Sequence, residues 1–389
     1  MLSCPKCAQV DFIMKAGLVR NKQRYVCKSC NYFFTIASPD GLKSNKKGRR
    51  HQATIIDIAR LVGVSNSTVS RALHNHSDIS SETRQAVLDM AAQLDYQPNQ
   101  LAYNLAKNKT NTVGLIVPEF HNRFFPNVIM GAHKILTAQG YNLTIMQSNE
   151  SYAVEVANTK AMLANQIDGL LISLTQETNN YEHLHVFEKR GIPLILFNRV
   201  CEEVSAPKVV VDDFEGAFTA VEHLIQNGYK RIAHLGGPLN LSVSRERLRG
   251  YLAALEKHGK EVEEELIIQG MLTQQKAKIY GNHLLELENR PDAIFAINDS
   301  AAIEIMLMAK EKGISIPDQL GVVGFSDNAE SAYIGPGLTT IRQPTIEMGG
   351  TTAQWILNMI ETEEDLNLSE VRVLKTELIV RGSSARSRI

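Results

Sequence analysis

The 389-residue chain is 44% hydrophobic and 21% charged, enough for two or three globular domains of about 100–200 residues each, which excludes a stapled miniprotein or a disordered tail. No uncharged apolar run approaches the roughly 20 residues of a membrane helix, and the opening MLSCPKCAQVDF lacks the charged-then-apolar pattern of a secretory leader, so a cytoplasmic location with no membrane partner is expected. The net charge of −1 hides an asymmetry: residues 1–52 hold 11 Lys/Arg against 2 Asp/Glu, residues 53–110 hold 5 of each, and residues 111–389 hold 25 against 35. A basic head on an acidic body points to a nucleic acid partner, because Lys and Arg displace its condensed counterions; on charge alone, a solvated basic tail is the alternative.

In chain order, the first feature is Cys4-Pro-Lys-Cys7 and Cys27-Lys-Ser-Cys30, two Cys-x-x-Cys pairs separated by 19 residues. This spacing predicts a small ribbon, residues 1–37, closed around a structural zinc ion (Zn2+) by four thiolates, with no open coordination position for chemistry. The competing possibility is redox or incidental thiols. Cys201, alone in an apolar stretch, is read as core. The run QRYVCKSC followed by the pair Phe33-Phe34 resembles the N-terminal zinc ribbon of some insertion-element transposases. These aromatics either fill a minimal core or contact DNA. A basic linker, residues 38–52, carries Lys46-Lys47-Gly48-Arg49-Arg50.

From residue 53 the apolar positions Ile55, Ile58, Ala59 and Val62 recur at helical spacing, Gly63 supplies a turn, and Ser65 is placed to cap a second helix with Val69, Ala72 and Leu73 on its buried face. A third helix is expected from Ser80 or Ser81 to about Leu94. This is a helix-turn-helix over residues 53–98, whose second helix enters the DNA major groove. Ser65, Asn66, Ser67, Thr68, Ser70 and Arg71 are its candidate DNA-facing residues. Arg71 is the best base reader, since guanidinium pairs bidentately with guanine; a phosphate contact or simple exposure is the alternative. The run IDIARLVGVSNSTVSRAL, with SETR at 81–84 and YQPNQLA at 96–102, resembles the LacI/GalR transcription regulators. That resemblance implies a hinge within residues 99–110, helical over 99–106 on DNA, with Asn99 and Ala102 at the interface and Leu105 wedged into the minor groove. It also implies a homodimer on double-stranded operator DNA.

Beyond residue 110, apolar strand-like runs at 113–117, 142–146, 169–172, 194–197 and 208–211 alternate with amphipathic helices, and the pattern resumes with runs near 232–235, 293–296 and 322–324. The expected fold of residues 111–389 is α/β: two lobes, each a doubly wound parallel sheet of the periplasmic-binding-protein type, with a ligand site beyond the carboxyl ends of the strands. Asn122, Phe124, Phe125, Arg199, Asp299 and Asp327 all follow predicted strands, and they match sugar-contacting positions of the LacI/GalR regulators and similar ribose-type binding proteins; Arg247 lies in SVSRERLRGY, which resembles a pocket-flanking helix. Chemically, the phenylalanines suit a pyranose or purine face, and Arg199 and Asp299 suit vicinal hydroxyls. Core packing for Phe125, a helix cap for Asp299, an internal ion pair for Arg199 and solvation for Arg247 are the alternatives.

An enzyme is not expected: no Gly-x-Gly-x-x-Gly follows a strand, and neither a phosphate loop nor His-Glu-x-x-His is present. The sequence therefore reads as a repressor whose DNA affinity a small effector, a sugar or sugar derivative, controls. A corepressor mode or a protein-responsive body is the alternative.

Overall fold

The computed structural model describes residues 3–19, 22–35, 53–96, 109–270, 273–362 and 368–386. The basic linker and the hinge positions Asn99, Ala102 and Leu105 lie outside the described residues. The chain divides into two compact units, Met1–Asn99 and Gln100–Ile389. Among the described residues no helix is long and apolar enough to cross a membrane.

The first unit opens with three antiparallel strands, β1 (Ile13–Val19), β2 (Lys22–Cys27) and β3 (Phe33–Thr35). Its small core is Cys4, Cys27 and Phe34, with Ile13, Tyr25 and Cys30 packed against them. Three helices follow. Helix α1 (Ile55–Val62) starts in a capping box in which Thr54 and Asp57 bond each other's backbone N–H, and ends at Gly63 with φ of 77°, a left-handed turn that suits glycine. Ser65 caps α2 (Asn66–Leu73) by accepting from the Thr68 amide at 3.1 Å, and Ser80 caps α3 (Ser81–Gln93) in the same way. Ile58, Ala59, Val69, Ala72, Val87 and Ala91 form the core of this bundle.

The second unit holds two six-stranded sheets. The first lobe contains β4 (Thr112–Val117), α4 (Phe124–Ala138), β5 (Asn142–Gln147), α5 (Tyr152–Ala164), β6 (Gly169–Ile172), α6 (Glu182–Lys189), β7 (Leu194–Phe197) and β8 (Lys208–Val211). The second contains α7 (Asp213–Gln226), β9 (Ile232–Leu235), α8 (Ser242–Lys257), β10 (Ile267–Ile268), α9 (Gln274–Glu286), β11 (Ala293–Ala296), α10 (Asp299–Glu311), β12 (Gly321–Ser326), α11 (Glu330–Tyr333) and β13 (Thr339–Arg342). The chain then returns: α12 (Thr345–Glu361) and β14 (Val371–Leu374) join the first lobe, and β15 (Glu377–Ile379) joins the second.

The order in the first sheet is β14-β8-β7-β6-β4-β5, parallel throughout; in the second it is β10-β9-β11-β12-β13-β15. The expectation of two purely parallel sheets needs one correction, because β15 runs antiparallel to β13. Leaving β14 at its carboxyl end, the chain has only residues 375 and 376 in which to enter the second lobe, so it must run back along β13. The strand interiors are apolar without alternation, Leu170 to Ile172 and Ala293 to Ala296 being fully buried, as expected where helices cover both faces.

Helices α4 and α12 cross with their backbones nearly touching. A Cβ at Gly349 would lie 1.9 Å from the Val128 carbonyl oxygen, and one at Gly131 would lie 2.1 Å from that of Ile346. By contrast, a Cβ at the neighbouring Gly350 meets only Ile135, at 3.8 Å. Gly349→Ala is expected to force the helices apart and destabilise the body by about 1–3 kcal/mol. Gly350→Ala is expected to be neutral or stabilising by up to about 1 kcal/mol through helix propensity. Equal urea midpoints for the two variants would show that this crossing is not tightly packed.

Candidate functional site

A cleft of about 920 Å³ lies where the carboxyl ends of both sets of strands converge. The first lobe contributes Glu119 and Asn122 after β4, Gln147 at the end of β5 and Glu150 after it, Gln176 and Glu177 after β6, and Arg199 after β7. Facing them from the second lobe are Tyr280, Asn298, Ser300, Glu304, Asn328 and Glu330. A smaller inner pocket of about 60 Å³ shares Glu119, Asn122, Arg199, Asn298 and Asn328 and adds Phe124, Phe125, Arg247 and Ser326. Several of these strand ends depart from ordinary backbone geometry: Asn149, Glu150, Asn198, Ser326 and Asp327 all have positive φ. Conformations of this kind concentrate where a surface is shaped to hold something.

The polar groups of the cleft are held in place by one another. Arg199 Nη1 donates to both carboxylate oxygens of Glu150 at 2.8 Å, so the expected ion-pair alternative for this arginine holds even though it lines the cleft. Asn122 is fixed by Glu119 and accepts from Ser300 Oγ at 2.6 Å, a hydrogen bond that spans the two lobes. The loop bearing Gln176 and Glu177 is anchored by fully buried Glu155, which accepts from the Thr175 amide and from Thr178 Oγ1, each at 2.9 Å, and lies 2.9 Å from His183 Nε2.

Phe124 and Phe125 meet edge to face with centroids 5.0 Å apart, and Phe125 packs on Phe197 at 6.4 Å. Both are buried, so Phe125 belongs to the first-lobe core, and neither offers an open stacking face. Arg247 is not solvated: it is 5% exposed, donates to Asp213 at 2.8 Å and to the Ile297 carbonyl, and lies 3.6 Å from the centre of the Phe325 ring.

Two expected ligand groups are corrected. Asp299 is fully buried; it accepts from the Asn328 amide at 2.7 Å, Ser331 Oγ at 2.6 Å and Thr340 Oγ1, and it lines neither pocket. Burial pushes its pKa up against the pull of those donors. Nor is it the helix cap, because Asn298 Oδ1 accepts from the Ala301 amide at 2.9 Å. Asp327 faces away from the cleft, pairing with Arg342 at 2.8 Å and Arg381 at 2.6 Å. The sequence missed Glu119, Gln147, Glu150, Ser300 and Glu304. Their available signal was position: the first four stand within four residues of a strand end.

In the first unit, Asn66, Ser67 and Arg71 are exposed on α2, and Ser70 is half-buried. Ser65 and Thr68 bond each other at 2.8 Å within the cap. Arg71 pairs with Asp78 at 2.9 Å, both side chains more than half exposed. Such a surface pair contributes about 0–1 kcal/mol and leaves the guanidinium available for exchange.

The four cysteines of the ribbon converge, with all Sγ atoms within 4.8 Å of one another and the Cys4–Cys30 and Cys7–Cys27 separations both 3.6 Å. A tetrahedral zinc with Zn–S of about 2.3 Å places its sulfurs about 3.8 Å apart, so the donor set fits that ion, whereas a disulfide would need about 2.05 Å. Burial opposes ionisation of Cys4, but hydrogen bonds from the Lys6 and Cys7 amides and from the Cys30 and Cys7 thiols together outweigh it and bring the thiol down to about 7.

Residues 54–99 match the bacterial regulatory proteins of the lacI family, and residues 110–376 match the periplasmic binding proteins and sugar binding domain of the LacI family. The chain is 33% identical over 337 residues to a probable HTH-type transcriptional repressor, ExuR, of Bacillus subtilis (strain 168), covering 86% of this chain and 98% of that one. It is similar to the solved complex of the transcriptional regulator CelR with cellobiose, at 27% identity and a TM-score of 0.66, covering 85% and 99% of the two chains. Its fold is also that of the lac repressor dimer bound to operator and the anti-inducer ONPF, at 22% identity and a TM-score of 0.76, covering 86% and 99%. The first 53 residues, including the ribbon, lie outside both family matches. With a helix-turn-helix head and a two-lobed body both matched, the chain belongs to the LacI family of bacterial regulatory proteins.

Proposed function

We propose that this chain is a cytoplasmic homodimeric repressor that binds operator DNA through α2 and is controlled by an uncharged, hydroxyl-rich effector, a sugar, held in the interlobe cleft. The observation that carries this is the cleft itself, lined from both lobes and bridged by Asn122 and Ser300. A ligand touching both lobes favours their closed arrangement and can change the spacing of the heads. Asn66, Ser67, Ser70 and Arg71 form the DNA-facing surface. The hinge positions Asn99, Ala102 and Leu105 are proposed to contact the same DNA. Two-fold symmetry then matches two heads to two half-sites.

Charge in the cleft narrows the effector class. Arg199 is neutralised by Glu150, and Glu304 by Lys278 at 3.2 Å. The further lining charges are Glu119, Glu177 and Glu330 against Arg123, an acidic balance. Carboxylates accept from sugar hydroxyls and amides both accept and donate, but the carboxylates repel a phosphate or a second carboxylate. An anionic sugar would have to displace Glu150 from Arg199. The similar regulator solved with cellobiose, a neutral disaccharide, agrees with this class.

The ribbon is proposed to hold one structural zinc through Cys4, Cys7, Cys27 and Cys30. When bound, the ion supplies cross-linking of two turns in a fold whose buried core, apart from Cys4 and Cys27 themselves, is Phe34.

Thermal melting against galactose, cellobiose, galacturonate and galactose 6-phosphate should show stabilisation by a neutral sugar alone, about 2.7 kcal/mol at a hundredfold excess over Kd, and Gln147→Ala should reduce it. Stabilisation by only the acid or the phosphate would overturn the charge assignment. Asp299→Ala should lower ligand-free stability by about 1–3 kcal/mol, because three buried donors lose their acceptor. An unchanged melting temperature would contradict its structural role. Elemental analysis should find about one zinc per chain, absent in Cys27→Ser, with the unfolding of the body unaltered; a metal-free wild-type chain with an ordered ribbon would exclude the zinc assignment.

A further inference from the structure

The ribbon has two faces of different character. On one, Tyr25 and Phe34 stand opposite each other across β2 and β3, their rings 5.9 Å apart, and with Cys27 they close the small core. On the other, Met14, Val26 and Phe33 form one cross-strand row. Met14 and Phe33 are each about half exposed, at 49% and 48%, and the Arg24 guanidinium lies 4.3 Å from the centre of the Phe33 ring. About half of each of these two side chains is left to solvent, in one row.

Charge indicates what covers this face. The described ribbon carries Lys6, Lys15, Lys22, Arg24 and Lys28 with Asp11 as its single acidic residue, and through residue 52 the sequence holds 11 cations against 2 anions. An acidic protein surface would answer the charge equally well, but this segment is joined directly to a helix-turn-helix. Seventeen residues separate Thr35 from Ala53. At the ceiling of about 3.3–3.6 Å per residue they reach at most roughly 60 Å, or about 17 base pairs of duplex.

We propose that the Met14–Val26–Phe33 face of the ribbon, with Arg24 and, at the two ends of the same strand, Lys22 and Lys28, is a second DNA-binding surface that docks on duplex flanking the operator half-site. A β-ribbon fits the major groove, where Met14 and Phe33 would contact thymine methyl groups and Arg24 a guanine edge or phosphate. The docking extends the operator footprint beyond what the helix-turn-helix covers. It rests on the head being a DNA reader, and the test separates the two.

The experiment uses the full-length chain and two duplexes, one limited to the operator core and one with about 15 base pairs of added flank on each side. Binding is followed by fluorescence anisotropy from 50 to 200 mM salt. The wild type should bind the flanked duplex at least about tenfold more tightly than the core duplex, with a steeper salt slope. The triple variant Lys22→Gln/Arg24→Gln/Lys28→Gln should bind the core duplex like the wild type, lose the flank-dependent gain, and show a slope on the flanked duplex reduced by about 2.7, close to 0.9 for each phosphate that is no longer neutralised. Met14→Ala/Phe33→Ala, which keeps every charge, should lose affinity on the flanked duplex with little change in slope. Metal content measured on each variant shows whether the ribbon is intact. Equal wild-type affinity and slope on the two duplexes would overturn the proposal whatever the variants do, as would a metal-loaded triple variant that keeps the flank-dependent gain. Failure of the wild type to bind either duplex would instead count against the head as a DNA reader.

Discussion

Three passages of the backbone between lobes, at residue 212, residues 343–344 and residues 375–376, hold the carboxyl edges of two sheets against one cleft. Each lobe is thereby built from separate stretches of chain, and neither is a contiguous module. The passages allow the lobes to rotate about a short triple hinge but not to separate. Everything polar in the cleft depends on this, since Glu119, Gln147, Glu150 and Arg199 come from one sheet and Asn298, Ser300 and Asn328 from the ends of the other.

Among the described residues, the direct polar ties across the cleft are few and individually modest. Ser300 donates to Asn122 at 2.6 Å, Asn240 to the Gln176 carbonyl at 2.7 Å, and the Val200 amide to Ser242 Oγ at 3.1 Å. At a net contribution of about 0.5–1.5 kcal/mol each, they sum to a few kcal/mol. That is the scale a small ligand's differential binding supplies when it shifts a two-state equilibrium. The lobes' own cores are far more robust: fully buried strands and the backbone contact of Gly131 and Gly349 with the opposing helix resist internal deformation.

How much of this the sequence disclosed depended on how local the cause was. Thr54, Gly63, Ser65 and Ser80 act within one turn of where they stand, and the helix-turn-helix was legible almost to the residue. Buried parallel strands announce themselves as short apolar runs, so eight of those in the body were legible too. The two-residue β10 and the late strands β13, β14 and β15 were not, because their pairing is fixed by crossings that no local pattern records. At the site, the sequence located the strand ends but not the direction of each side chain. Asn298 and Asp299 are adjacent, yet one faces the cleft and caps α10 while the other is buried under β12 and β13. Successive side chains leaving a strand point to opposite sides, and only the tertiary partners decide which one the cleft receives.

The cleft and the DNA-binding head are expected to share one conformational equilibrium. Linkage makes that coupling measurable without any structural assumption, because two ligands coupled through one equilibrium must alter each other's affinity by the same factor. The direct measurement is a closed cycle with whichever neutral sugar stabilises the chain: operator Kd with and without saturating sugar, and sugar Kd with and without saturating operator. Two equal ratios are predicted, both differing from one by a factor of about 5–150, the usual range of such coupling. A ratio of one on both arms, with the sugar demonstrably bound, would contradict a shared equilibrium.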